Sequence, residues 1–296
     1  MAGETTSASL GDSLQYIQDS ARMRREYGTV MTRVVDKRTL PANSGRAWDE
    51  ITVERLDAQS VDESTNLDNF QSFVDSLFSV EPVMTGIATF ITDKARSIVS
   101  TETLGATGSA MQNALERRKD LDGLTVLDSG TSFGGAGTTL TSGILSAAQT
   151  ENTFGAQTGS NAEGWTGRQV AVLNSRQIKD LRDEVTSGIG TYPTPNGLTE
   201  EVYRQGYRGM VDGLEIFVDD LITIDASDDA KGGVFAAGKD GAIVFVQGPG
   251  KKTKERYNPA KGGGGVEVYQ YDDYAYGIRL ANSLSEIYTD SAAVTS

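Results

Sequence analysis

Neither cysteine nor histidine occurs anywhere in the 296 residues. No disulfide framework and no thiolate or imidazole metal site can hold this fold, so apolar burial and hydrogen bonding must do so. The length allows that, as one large domain or two ordinary ones. The same absence removes the commonest general base, the cysteine nucleophiles and every serine–histidine triad, which weighs against an enzyme. Hydrophobic residues make up 38% of the chain, and 34 glycines bring the apolar share into the ordinary range. So many glycines imply tight turns and close backbone approaches.

The formal charge is −14, from 41 acidic and 27 basic side chains. A protein that binds nucleic acid over its whole surface is normally basic, because phosphate neutralisation drives the association. A protein that only encloses DNA needs no such bias, and net acidity keeps a concentrated subunit soluble. No run reaches the roughly 18 apolar residues of a membrane span. The first residues lack the basic-then-apolar order of a signal peptide, so synthesis in the cytoplasm is expected.

Along the chain, Leu10, Leu14, Ile17 and Ala21 fall at helical spacing, and Arg22, Arg24 and Arg25 suit the helix's C-terminal end. Residues 28–56 read as a long charged hairpin. Val30, Thr32 and Val34 alternate on the outgoing strand, 40–45 is a turn cluster, and Ile51 and Val53 lie on the return. An isolated hairpin is marginal in water, so this one is expected to lie across a neighbour. A helix is expected near 69–78, a strand over 79–91, and the main helix over 103–119, stopped by Gly123. Gly105 and Gly108 within it suggest a bend or a close crossing. Residues 128–167 read as loop, with a helix only at 142–149. Then come a buried strand at 168–173, a helix at 175–185 and strands at 213–218, 233–237, 242–247, 266–276, 278–280 and 286–288. No repeat of fixed period appears. The whole is α+β, with strands from distant segments meeting in one or two sheets.

Three stretches invite a chemical reading. Gly130 and Gly135 have the Walker A spacing, but the lysine that must follow is Ala136, so a mobile loop is the better reading. Asp219, Asp220, Asp225, Asp228 and Asp229 lack the alternation and closing glutamate of a calcium loop and read as a solvated edge. Residues 248–261 carry Lys251, Lys252, Lys254, Arg256 and Lys261 around Tyr257, bounded by glycine and proline. An exposed loop is expected there, suited to phosphates or to a neighbour's carboxylates. The run Tyr269, Tyr271, Tyr274, Tyr276 reads as a half-buried strand, with a bend at Asp272–Asp273.

Several strings, taken in order, resemble the major capsid proteins of tailed bacteriophages, the Hong Kong 97-type fold shared with encapsulin shells. Val80-Glu-Pro82 with Phe90-Ile-Thr-Asp93-Lys-Ala resembles the exit from the family's extended loop. Leu115-Glu-Arg-Arg-Lys-Asp120-Leu-Asp-Gly123 resembles the end of its spine helix. Trp165 through Gln177 is similar to an axial-domain strand and helix, Gly209 through Val218 to the strand after a glycine turn, and Tyr274-Ala-Tyr-Gly-Ile-Arg279 to the approach to the last strand. The resemblance spans most of residues 27–290, and its specificity lies in the order of the elements.

This resemblance implies an N-terminal arm (1–26), an extended β-hairpin loop and the strand leading to the spine helix (27–92), and a peripheral domain with a long spine helix (93–127). An axial domain (128–233) and late strands of both domains (234–296) follow. It implies a non-enzymatic subunit of hexamers and pentamers in an icosahedral head enclosing double-stranded DNA, with no catalytic, metal or cofactor residues and no membrane partner. A portal, a separate scaffolding protein and a decoration protein are the implied partners, because about 26 residues before the loop are too few for a fused scaffold. The implied place is the virion, assembled in the host bacterial cytoplasm. Inter-subunit contacts are expected at Arg33, Lys37, Arg38 and Arg46 on the hairpin and at Lys251, Lys252, Lys254 and Arg256. Some relatives cross-link lysine to asparagine, for which Lys37 and Asn258, with Glu255 as base, would be the partners. The rival readings are an encapsulin-like compartment, a tail or decoration component, and a hydrolase using a metal with Asp219, Asp220 or Asp225.

Overall fold

The longest alternating stretch of the late sequence, Gly265–Ile278, forms the longest strand, β13, and a six-stranded sheet is built around it. The computed structural model describes residues 4–5, 29–53, 75–98, 101–155, 167–188, 210–211, 213–250, 252–261 and 263–292, with isolated positions between 56 and 72. The helix expected before residue 28 and the loop around Pro193 and Pro195 lie outside them.

The first sheet runs β1 (Glu4–Thr5), β5 (Val83–Thr92), β13, β11 (Ile243–Gln247), β2 (Asp36–Thr39), with β12 (Lys252–Asn258) also pairing β13. Its backbone is the antiparallel β5–β13 ribbon, in register from Tyr274 opposite Val83 to Gly265 opposite Thr92. The second sheet runs β6 (Thr131–Gly134), β14 (Leu284–Asp290), β10 (Asp229–Ala236), β7 (Gln169–Leu173), β9 (Leu214–Val218), β8 (Met210–Val211). A separate two-stranded ribbon pairs β3 (Trp48–Val53) with β4 (Asp75–Val80).

Among the described residues, five helices pack with these sheets: α1 (Met31–Val34), α2 (Asp93–Ile98), α3 (Thr101–Leu127), α4 (Ser142–Gly155) and α5 (Ser175–Gly188). The end of α3 contributes Leu124 and Leu127 to a core shared by both sheets, with Phe245 and Tyr274 from the first and Val170, Val172 and Phe235 from the second. Alternation in β7 sends Ala171 and Leu173 to the opposite face, where Leu145 of α4 and Ile178 and Leu181 of α5 cover them. That double burial is why Gln-Val-Ala-Val-Leu is nearly all apolar.

Several expectations are corrected. The charged hairpin is not folded within 28–56. Residues 31–34 form α1, Lys37 and Arg38 lie in β2 parallel to β11, and β3 pairs with β4 instead of with 30–35. Val34 and Val35 are needed in the core, which bends this stretch away from an isolated hairpin. The helix expected near 69–78 is strand from Asp75 onward. Gly123 does not stop α3, which continues to Leu127. A Cβ at Gly123 would stand 2.8 Å from Met31 and 2.9 Å from the Tyr276 ring, so this glycine permits a close crossing. At Gly108 the space is open, so no close crossing occurs there. Part of the supposed mobile loop is β6, parallel to β14, where a Cβ at Gly134 would lie 2.6 Å from the Tyr288 carbonyl oxygen. The strand β13 runs unbroken through Asp272–Asp273.

Candidate interaction surface

The β3–β4 ribbon buries one side of its base only. Trp48, Phe78 and Val80 pack on Leu40, Val244, Val246 and Ala275 of the first sheet. The base is also held ionically. Arg279, only 6% exposed, reaches Asp36 at 3.0 Å and Glu50 of β3 at 2.7 Å. Arg38 reaches Asp36 at 3.0 Å and Asp240 at 2.9 Å. Both guanidinium groups sit over the Trp48 ring, at 5.6 Å for Arg38 and 5.9 Å for Arg279. Farther out, Ile51 and Leu77 stand directly opposite each other, 64% and 66% exposed. Large apolar side chains paired on an exposed ribbon lose solvation free energy that a partner surface would recover.

The second surface is β12. It is a strand antiparallel to β13, and its charged residues are exposed, which corrects the expected loop. Strand alternation puts Lys252, Lys254 and Arg256 on one face, opposite Tyr271, Tyr269 and Glu267 of β13. The Tyr269 and Tyr271 rings stack at 6.2 Å, nearly parallel. Glu267 accepts hydrogen bonds from the Tyr269 hydroxyl at 2.6 Å and the Asn258 amide at 2.8 Å, which together hold its carboxyl below the usual range. Lys261 lies over the Phe90 ring at 5.5 Å.

The expected contact residues are thus dispersed. Arg33 is exposed on α1, and Lys37 and Arg38 lie on β2. Arg46 precedes β3 and pairs with Glu81. Lys251 lies outside the described residues. Arg38 and Arg46 therefore have carboxylate partners within the chain. The amide of Asn258 is engaged by Glu267, nine positions along, and not by Glu255.

The five aspartates do not converge into one site. Asp225 and Asp228 are exposed, as a solvated edge requires, but Asp219 and Asp229 are each 1% exposed, which corrects that reading for these two. Asp220 accepts the Ser175 amide at the start of α5. Asp225 accepts the amides of Ser227 and Asp229 and the Tyr288 hydroxyl, and these hydrogen bonds, the Asp229 amide foremost, hold its carboxyl down. Asp229 accepts the Gly137 amide. They organise turns instead of gathering around one ligand. Among the described residues no group of three or more acidic side chains is arranged to hold a metal.

Sequence reading missed the Arg279 clamp, because its carboxylate partners, Asp36 and Glu50, come from two segments far from it in sequence. A signal was present in one arginine inside the otherwise apolar Tyr-Gly-Ile-Arg-Leu stretch.

The two sheets, the long helix between them and the projecting ribbon define the fold of capsid-type shell proteins. No family model matches the chain, and no curated protein matches it. Solved structures do. A chain from Mycobacterium phage Che8 superposes with TM-score 0.67 at 16% identity, covering 92% of this chain and 95% of that one. A chain from the capsid of cyanophage P-SCSP1u gives 0.65 at 13%, covering 94% of each. A chain of the holo-SrpI encapsulin complex from Synechococcus elongatus PCC 7942 gives 0.64 at 9%, covering 99% and 98%.

Proposed function

We propose that this chain is a major capsid protein of a tailed bacteriophage with the Hong Kong 97-type architecture. Its copies form hexamers and pentamers that close into an icosahedral head around double-stranded DNA, which is enclosed without sequence readout. In this reading α3 is the spine helix, the β3–β4 ribbon is the base of the extended loop, and the second sheet is the axial domain. The division at 26, 92, 127 and 233 is carried with it. Portal, separate scaffolding protein and decoration protein are its partners. It performs no chemistry, and it resides in the virion after assembly in the host cytoplasm.

The observation that carries the reading is the ribbon. It is anchored by an ionic clamp at its base and leaves Ile51 and Leu77 uncovered. A monomer gains nothing from that pair, whereas a neighbour that covers it recovers roughly 1.5–3 kcal/mol per fully buried side chain. Repeated over a closed ring, such heterologous contacts add up. Lys252, Lys254 and Arg256, with Arg33 and Lys37, are the cations proposed to align neighbouring acidic surface. Arg38, Arg46 and Lys251 complete that set, the first two through networks that begin within the chain.

Sedimentation velocity of the purified full chain, alone and with a scaffolding partner, tests this. Fast-sedimenting closed particles or ring-sized species are expected. A monomer under both conditions would refute it.

The likeness to an encapsulin chain over nearly the whole length of both favours one second reading, a compartment that houses an enzyme cargo. Mass spectrometry of shells purified from the native source separates the two, since portal and DNA or a cargo enzyme would accompany them.

A further inference from the structure

The carboxyl groups of Asp120 and Asp219 meet in the protein interior. Asp120 lies on the buried side of α3, Asp219 directly follows β9, and each is 1% exposed. The Oδ1 atom of Asp120 accepts the amides of Val30 and Met31 at 3.0 and 2.9 Å, capping α1, whose own N-cap residue offers no side-chain bond. The Oδ1 atom of Asp219 accepts the Leu221 amide at 2.9 Å. The Oδ2 atoms of both are sealed from water, and no donor in the described protein reaches them. The two side chains are within hydrogen-bonding reach of each other.

Among the described residues, none of the charged groups that act on Asp219 is positive. Asp220, beside Asp219, is a further acid, and the Tyr276 hydroxyl from β13 is buried without a partner. Lys119, next to Asp120 in sequence, points at Asp272. Lost hydration first, and then the neighbouring Asp120 carboxyl, favour a retained proton on Asp219.

We propose that the buried Asp219 carboxyl, facing Asp120, holds a proton and that the pair forms a pH-released latch joining α3, segment 29–35 and the exit of β9. The three elements belong to different layers. Segment 29–35 leads into β2 of the first sheet, β9 lies in the second, and α3 packs against both. The latch therefore sets how firmly the two sheets are joined.

Burial, and then the hydrogen bond with Asp120, push the Asp219 carboxyl up from 3.8 to about 8. The proton stays on Asp219 in the folded chain, whereas the unfolded chain releases it near the ordinary value. Between those limits the folded state binds more protons. The latch is firmest in mild acid, weakens as pH rises through that window, and levels off above it.

Hydrogen exchange read by mass spectrometry on the full chain tests this, with protection corrected for intrinsic exchange rates. Peptides covering 29–35 and 214–222 are expected to lose protection between about pH 5 and about pH 8, by up to about ten-fold per pH unit. A peptide covering β10 is expected to hold constant. Asp219→Asn keeps a donor that does not titrate, and its profile is expected to be flat. Asp220→Asn is expected to keep the wild-type slope. Constant wild-type protection across the range would overturn the latch, as would the same slope in Asp219→Asn. Should that variant fail to fold, the wild-type profile decides by itself. The test needs no neighbouring copy, so it stands apart from the question of shell formation.

Discussion

The Nζ atom of Lys119 lies 2.7 Å from Oδ2 of Asp272, and both side chains are closed to solvent. The pair ties the C-terminal third of α3 to the middle of β13. Burial pushes the Asp272 carboxyl up, but the Lys119 ammonium and the Gln247 amide outweigh it and hold it below the ordinary range. Removing one partner strands the other charge. Lys119→Met is expected to cost about 3–5 kcal/mol, while a double variant with Asp272→Leu recovers much of that loss. Denaturant unfolding of the purified chain measures both.

That pair also fixes a pH dependence of the opposite sign to the latch. A carboxyl whose folded value is depressed contributes stability above its unfolded value and loses it in acid. Below about pH 4 the Lys119–Asp272 tie is therefore expected to weaken. Unfolding midpoints measured through that range are expected to fall steeply in wild type and less so in the double variant.

Glycine at 123 and at 108 should respond in opposite directions to the same substitution. An exposed helical glycine replaced by alanine ordinarily gains about 1 kcal/mol. Gly108→Ala meets open space and is expected to show that gain. Gly123→Ala drives a methyl group against Met31 and the Tyr276 ring, both under 3.0 Å away, and is expected to lose about 1–3 kcal/mol. Thermal unfolding of the two variants side by side reads the difference.

Arg279→Ala removes the bond that joins the ribbon to the first sheet through Glu50 and Asp36. A loss of about 2–3 kcal/mol is expected, because Arg38 still reaches Asp36. Faster hydrogen exchange should be confined to 48–53 and 75–80.

Much of the architecture was legible because burial writes itself into sequence. The apolar run Val170–Leu173, the helix carrying Ile178 and Leu181, and the strand Ile243–Gln247 were all readable where they occur. Pairing between distant segments was not. Nothing local in Asp36–Thr39 announces a parallel partner near residue 245, and alternation there suggested a nearby return strand instead. The strand β12 escaped notice because an exposed edge strand carries the charged composition of a loop. The Asp120–Asp219 pair lay hidden because its members are far apart in sequence, and one sat within an apparently solvated acidic cluster.

The uncovered Ile51–Leu77 pair gives assembly its own signature. Leu77→Asp places a charge where a neighbour is proposed to sit and is expected to leave subunit stability within about 0.5 kcal/mol. Shell yield, read by gel filtration, is expected to collapse. Charge reversal at Lys254 and Arg256 together should slow assembly more at low salt than at high salt, since exposed charge pairs are screened.

The most direct measurement is electron microscopy of the purified full chain after incubation with a scaffolding partner. Closed shells, or rings whose averages carry five- and six-fold symmetry, are the expected outcome. A field of single subunits or dimers under those conditions would contradict the proposal that this chain builds a shell.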